Sequence, residues 1–126
     1  MSPVRHPVSG AALLFSLEEE METVRRELST ASARIARTLV KDGPLRATLV
    51  GVRAGGGLRE HSSPGPITIH VLEGAVELAA QGRSWTLAAG TLLALDAGVP
   101  HTVHSETGGM FLLTVVGRGG AGPQTE

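Results

Sequence analysis

Apolar residues along this chain change their period once. Between positions 17 and 28 they recur as Leu17, Met21, Val24 and Leu28, which lays one narrow apolar stripe along a helix. Ser16-Leu17-Glu18-Glu19 opens that helix with a capping box, in which hydroxyl and carboxylate satisfy backbone donors that have no partner inside the helix. Glu18, Glu19 and Glu20 suit the positive end of the helix dipole, and Arg25 and Arg26 the negative end. The stripe is expected to lie on the body of its own domain, with a dimer seam as the alternative. Ser29–Ser32 is expected to end the helix. Before it, Pro3, Pro7 and Gly10 make residues 1–15 an irregular arm, with His6 solvated.

From Ala33 on, short apolar runs alternate with Gly- and Pro-bearing turns. The strands expected are 33–41, with Ile35 and Leu39 on one face, 45–54, a histidine-bearing strand after Gly55-Gly56-Gly57, and then 67–72, 75–80, 84–87, 91–95, 101–105 and 110–116. Residues 45–54 are apolar on both faces, which places them centrally in a sheet. Val71-Leu72-Glu73-Gly74 reads as a turn between two strands. Many short strands without a second helix predict an all-β, antiparallel sandwich or barrel. The expected organisation is an arm and helix over 1–31, a barrel over 32–116 and a polar tail over 117–126.

Composition narrows the function. The chain of 126 residues has a formal net charge of −1 and only three aromatic rings, Phe15, Trp85 and Phe111. It therefore lacks both the positive field and the stacking platform that nucleic-acid binding uses. No apolar run reaches the length of a membrane span, and a cytoplasmic location is the expectation. With no cysteine, any metal would be held by His, carboxylate or water. Gly55-Gly56-Gly57 lacks the Lys-Ser/Thr and helix start of a phosphate loop. Trp85 is expected to pack in the core or an interface, and Arg59, Glu60, Glu73 and Glu77 to face solvent.

Two histidine-bearing segments remain. One is Gly57-Leu58-Arg59-Glu60-His61-Ser62-Ser63-Pro64-Gly65-Pro66-Ile67-Thr68-Ile69-His70-Val71-Leu72-Glu73-Gly74, and the other runs from Gly90 through Asp96, Gly98, Pro100 and His101 to Ser105. Together they resemble the two sequence motifs of the cupins. Aligned from Gly74, the first motif places its two histidine positions at His61 and Ser63 and its glutamate position at Ile67. The second matches at Gly90, Gly98 and His101, with Asp96 where proline is usual and Ser105 where asparagine is usual. The likeness covers about residues 45–116. It implies an antiparallel jelly-roll β-barrel with one short N-terminal helix, a homodimer, and a barrel mouth that in many cupins holds Mn, Fe, Ni, Cu or Zn on three histidines and a glutamate.

The resemblance implies ligand-binding positions at His61, Ser63, Ile67 and His101, with His61 and His101 as the two metal positions retained. His70 and His104 are candidate third ligands, although strand alternation turns both outward if Ile69, Val71 and Val103 face in. Three functions stand open. The first is a module that binds a small carboxylate-bearing or sugar-like molecule through donors on His61 and His101, against a wall of Ile67, Ile69, Val103, Phe111 and Leu113. The second is an oxygenase- or isomerase-type enzyme carrying one divalent transition metal, a state without metal standing equal to it. The third is a ligand-sensing regulatory cupin.

Overall fold

The computed structural model describes residues 6–28 and 33–117, so the expected helix end at 29–32, the start of the arm and the tail from 118 lie outside the described residues. Helix α1 (Leu17–Leu28) precedes eight strands. These are β1 (Arg34–Asp42), β2 (Leu45–Val52), β3 (Gly56–His61), β4 (Ile67–Ala80), β5 (Arg83–Ala88), β6 (Leu92–Leu95), β7 (His101–Ser105) and β8 (Gly109–Val116). Every pairing is antiparallel.

The strands form two faces that share one member. On the first, β1, β2, β8, the first half of β4 and β6 lie side by side. On the second, β5, the second half of β4, β7 and β3 do so. The separate strands expected at 67–72 and 75–80 are thus one strand, and the expected turn at Gly74 is a bend inside it. A register shift between Val71 and Glu73 puts an extra residue there, and Gly74 follows at φ 71°. A bulge followed by a left-handed glycine bends a strand without ending it, which lets β4 leave one sheet and enter the other. A Cβ at Gly74 would stand 2.3 Å from the carbonyl oxygen of Gly108, so the bend admits only glycine.

The interior follows from strand alternation. Ile67, Ile69, Val71, Val76, Leu78 and Ala80 of β4 pack with Val50, Val52, Leu87, Val103, Phe111 and Val115 in one continuous core. Fully burying a side chain of this size stabilises by roughly 1.5–3 kcal/mol. Strand β2 lies between β1 and β8 and is buried on both faces: Val50 and Val52 point into this core, and Leu49 points out of it under the helix.

Helix α1 begins as expected, with the Ser16 hydroxyl accepting the N–H of Glu19 at 3.3 Å. Its stripe is covered: Met21 and Val24 are buried against Leu39, Leu49 and Met110, with Leu17 and Leu28 partly buried beside them. The helix therefore lies on its own sheet, and its stripe is not available as a seam between subunits. Gly51 makes the close approach feasible, since a Cβ there would meet Val24 Cγ1 at 2.6 Å and Leu28 Cδ1 at 2.8 Å. Arg25 ties the helix to the β4 bend, donating to Glu73 Oε1 at 2.7 Å and to Glu22 at 2.6 Å. Glu73, expected to be a solvated turn residue, is thus an anchor. The hydrogen bond from Arg25 holds its carboxyl below the ordinary carboxylate range, with partial burial opposing.

The arm also packs on its own domain. The N–H of Lys41 donates to the carbonyl of Val8 at 2.7 Å, extending the edge of β1. His6 is not simply solvated. Its ring meets the edge of Phe15 at a centroid distance of 4.8 Å, and its Nε2 lies 3.8 Å from Glu20, which Arg37 also holds.

Candidate functional site

His61 and His101 are brought together by a pairing that depends on one irregularity. In β3, Leu58 pairs with Val103 and His61 pairs with His101, so three steps along β3 match two along β7. Side chains alternate, so in a regular strand Leu58 and His61 would face opposite sides. The extra residue restores the match and turns His61 to the side of Val103 and His101. The two rings then lie with centroids 4.4 Å apart, tilted by 58°. His101 is 3 % exposed, whereas His61 is half-buried and forms the outer member of the pair.

Both rings are held in the same way. His61 Nδ1 lies 2.7 Å from the carbonyl oxygen of Arg59, and His101 Nδ1 lies 3.0 Å from that of Val99. A carbonyl oxygen only accepts, so each Nδ1 carries the hydrogen and donates it. The neutral rings therefore keep their basic lone pair on Nε2. In the neutral state each ring's Nδ1–H is used on the backbone.

Ser63 is buried at the corner between β3 and β4, and its carbonyl accepts the N–H of Gly98 at 2.8 Å. That bond joins the corner to the turn before His101. Asp96 serves the same turn, its Oδ1 accepting the N–H of Ala97 at 3.0 Å. Ile67 is buried in the barrel core, as are Ile69, Val103 and Phe111, with Leu113 packed against them.

His70 and His104 stand apart from the pair. His70 alternates with buried Ile69 and Val71 and so projects to the outer face, and His104 is exposed between buried Val103 and Ser105. Among the described residues, no group of three or more His, Cys, Asp or Glu side chains is placed to hold a metal ion. Tested on its donors, the site offers two imidazoles and the Ser63 position, with Ile67 standing where a carboxylate would balance a divalent charge. Catalytic first-row metals are ordinarily held by three protein ligands. The residues present do not fit such a centre.

Two contributors had no clear mark in the sequence. The carbonyls of Arg59 and Val99 orient the rings, and a backbone group leaves no residue signature. Ser105, noted only as a departure from the family pattern, is fully buried; its Oγ donates to the carbonyl of Ala75 at 2.6 Å and accepts the N–H of Gly108 at 2.9 Å. It fastens the end of β7 to the bend of β4. Trp85 packs on the core with the Arg83 guanidinium 4.7 Å over its ring.

An antiparallel jelly-roll barrel with a histidine pair on its inner face defines a cupin-type domain. The profile described as "Cupin domain" matches residues 48–117, and the chain belongs to that family. Among solved structures, it is similar to a conserved protein of unknown function from Streptococcus pyogenes, at 29% identity and a TM-score of 0.64, over 68% of this chain and 75% of that one. An RmlC-like cupin from Shewanella frigidimarina matches at 20% identity and a TM-score of 0.65, over 71% of this chain and 80% of the other. A salicylate 1,2-dioxygenase from Pseudaminobacter salicylatoxidans matches at 17% identity and a TM-score of 0.75, over 89% of this chain but 37% of the dioxygenase. At such identity the last two likenesses concern the fold. No curated protein matches the chain. No helix among the described residues is long and apolar enough to cross a membrane.

Proposed function

We propose that this chain is a small-molecule-binding cupin in which His61 and His101 form the polar end of an otherwise apolar barrel mouth. The observation that carries the reading is the register pairing of the two histidines, with ring centroids 4.4 Å apart and both rings fixed through Nδ1. Two pre-oriented polar groups against an aliphatic wall are what a small organic ligand requires, since apolar area supplies affinity and a few placed polar atoms supply orientation. Metal-dependent enzyme chemistry at the same pair would need donors that Ser63 and Ile67 do not supply.

The test is thermal unfolding of chelator-treated protein against a panel of polyols, alcohols, amines and carboxylates. A ligand at about a hundred times its Kd stabilises by about 2.7 kcal/mol, a shift of several degrees. The expected result is a stabilising compound class that survives chelation and is lost in His101→Ala. Stabilisation that vanishes on chelation and returns with Mn, Fe, Ni, Cu or Zn would instead favour the metalloenzyme. No stabilisation by any class would remove the binding reading.

We propose in addition that two copies associate through the outer face of the first sheet. Leu45 and Val116 are register partners there, 42% and 43% exposed, and Leu92 on the edge strand β6 is 63% exposed.

A further inference from the structure

We infer that, when two copies associate through the outer face of the first sheet, His70 of each copy meets Asp96 of the other. This rests on the proposed association and names the side chains that set its register. Thr68 and His70 of β4 alternate with the core residues Ile67, Ile69 and Val71. Leu92 and Ala94 of β6 alternate with Leu93 and Leu95, and Thr114 and Val116 of β8 with Leu113 and Val115. These side chains therefore face away from the core. His70 is the titratable one among them, half-buried between its register partners Leu92 and Leu112. No hydrogen bond or ion pair among the described residues reaches it, and the ion pairs of helix α1 go elsewhere, Arg25 to Glu73 and Glu20 to Arg37. Asp96 stands exposed just past the end of β6, with Oδ1 on the N–H of Ala97 at 3.0 Å. It is the charged residue of the hollow of about 360 Å³ that Pro66, Thr68, Ala94, Thr114 and Val116 also line.

The register brings the two together. Leu92 pairs with His70 and Ala94 with Thr68, so Leu92 and His70 share one row across the sheet, and the hollow starts at the next outward row. Such rows are about 6.7 Å apart along a strand, and neighbouring strands lie about 4.8 Å apart. The hollow centres on β4, which lies between β6 and β8. A two-fold axis perpendicular to the sheet that carries Leu92, 63% exposed, into the partner's hollow reverses both directions in the plane. It therefore carries His70, one strand to the side of Leu92, onto the partner's β6 between Ala94 and Asp96. Covering a half-buried imidazole without giving it a partner costs free energy, and the carboxylate opposite removes that cost. An imidazole has an N–H to donate in either protonation state. A second copy is the occupant because one face carries both halves of the contact, protrusion and hollow, donor and carboxylate.

The test is sedimentation equilibrium of the full chain, with circular dichroism to confirm folding. The wild type should be a dimer at micromolar concentration. Asp96→Lys and His70→Glu should each weaken self-association by about tenfold or more, since each sets like or unpaired groups together twice. Mixed in equal amounts, the two variants should recover a dimer with one copy of each, joined by one native and one reversed contact. His104→Glu, on the other sheet, should change nothing. If a charged variant loses its fold, His70→Ala, Asp96→Ala and the double variant decide the matter. Residues that meet should cost no more together than singly, and additive losses would overturn the inference. Variants that dimerise like the wild type, or that fail to recover on mixing, would also overturn it and leave the association standing. A monomeric wild type would remove the association itself and leave the face to solvent or to another occupant.

Discussion

Ser105 shows what one hydroxyl does at a strand junction. It is buried, donates to Ala75 in β4 and accepts from Gly108 in the following turn, so it closes a backbone gap that neither strand closes alone. Ser105→Ala should leave a carbonyl and an N–H without partners and destabilise the fold by about 1–3 kcal/mol, read as a lower urea midpoint at unchanged slope. Gly74→Ala should be worse, because it adds left-handed strain of about 1–3 kcal/mol to a backbone collision that cannot relax by side-chain rotation. Failure to accumulate folded protein is the expected outcome. At the site, the donor count makes its own prediction. Wild-type protein should retain far less than one transition metal per chain, and Ser63→His, by adding a third imidazole position, should raise retention measurably. Elemental analysis of both proteins decides it, and a stoichiometric metal in the wild type would contradict the donor argument. The histidine pair was legible beforehand because two residues sat at family positions, and the outward turn of His70 and His104 was legible from strand alternation alone. Which ring nitrogens face the backbone was not. Ring orientation here depends on carbonyls of Arg59 and Val99, whose positions are set by the bulge in β3 and the turn before β7.

Helix α1 was readable almost to the residue, since capping, dipole and stripe agreed and the structure starts it directly after Ser16. What the stripe covers could not be read locally, because Leu39, Leu49 and Met110 come from three distant strands. Val24 is fully buried in that contact, so Val24→Ala should destabilise by about 1.5–3 kcal/mol, measured by chemical unfolding. The Arg25–Glu73 link adds a pH-dependent part. The folded carboxyl of Glu73 lies below its unfolded value, mainly through the Arg25 hydrogen bond, so its contribution is present above about pH 4.5 and is lost as pH falls through the folded value. Both side chains are more than a third exposed, and solvent screening keeps the effect small. Glu73→Gln should lower Tm by no more than a few degrees at pH 7, and the difference from wild type should close toward pH 3. A gap that stays constant with pH would mean that the contact acts through packing instead. Strand β4 was the element misread, and for a physical reason. A Gly after an acidic residue signals a turn in most strand-rich sequences, and only long-range pairing to β8 and β5 shows that the chain continues through it.

At the scale of the whole molecule the barrel was predictable because nearly every strand carried its own period and its own turn. The sharing of β4 between two sheets follows from closure, which no single segment encodes. Among the described residues, closure leaves edges at β3, β5 and β6, with β1 partly covered by the arm, and unpaired edges favour association with another chain. The most apolar of these margins is on the first sheet. There Leu45, Val116 and Leu92 are exposed, and a hollow of about 360 Å³ on the same sheet is lined by Pro66, Thr68, Ala94, Thr114 and Val116, with Asp96 its only charged member among the described residues. Helix α1 covers one part of this sheet through Leu49, Met110 and Leu112 and leaves that part free. A second copy suits it, since a two-fold axis can set the protruding Leu92 of one chain against the hollow of the other and the reverse, an isologous contact that closes without propagating. Light scattering at micromolar concentration should therefore give twice the chain mass. Leu92→Lys and Val116→Lys, both at exposed positions, should each shift it toward the monomer without loss of secondary structure. A monomeric wild type at that concentration would show that the face is simply solvated and that the helix provides all the cover the barrel needs.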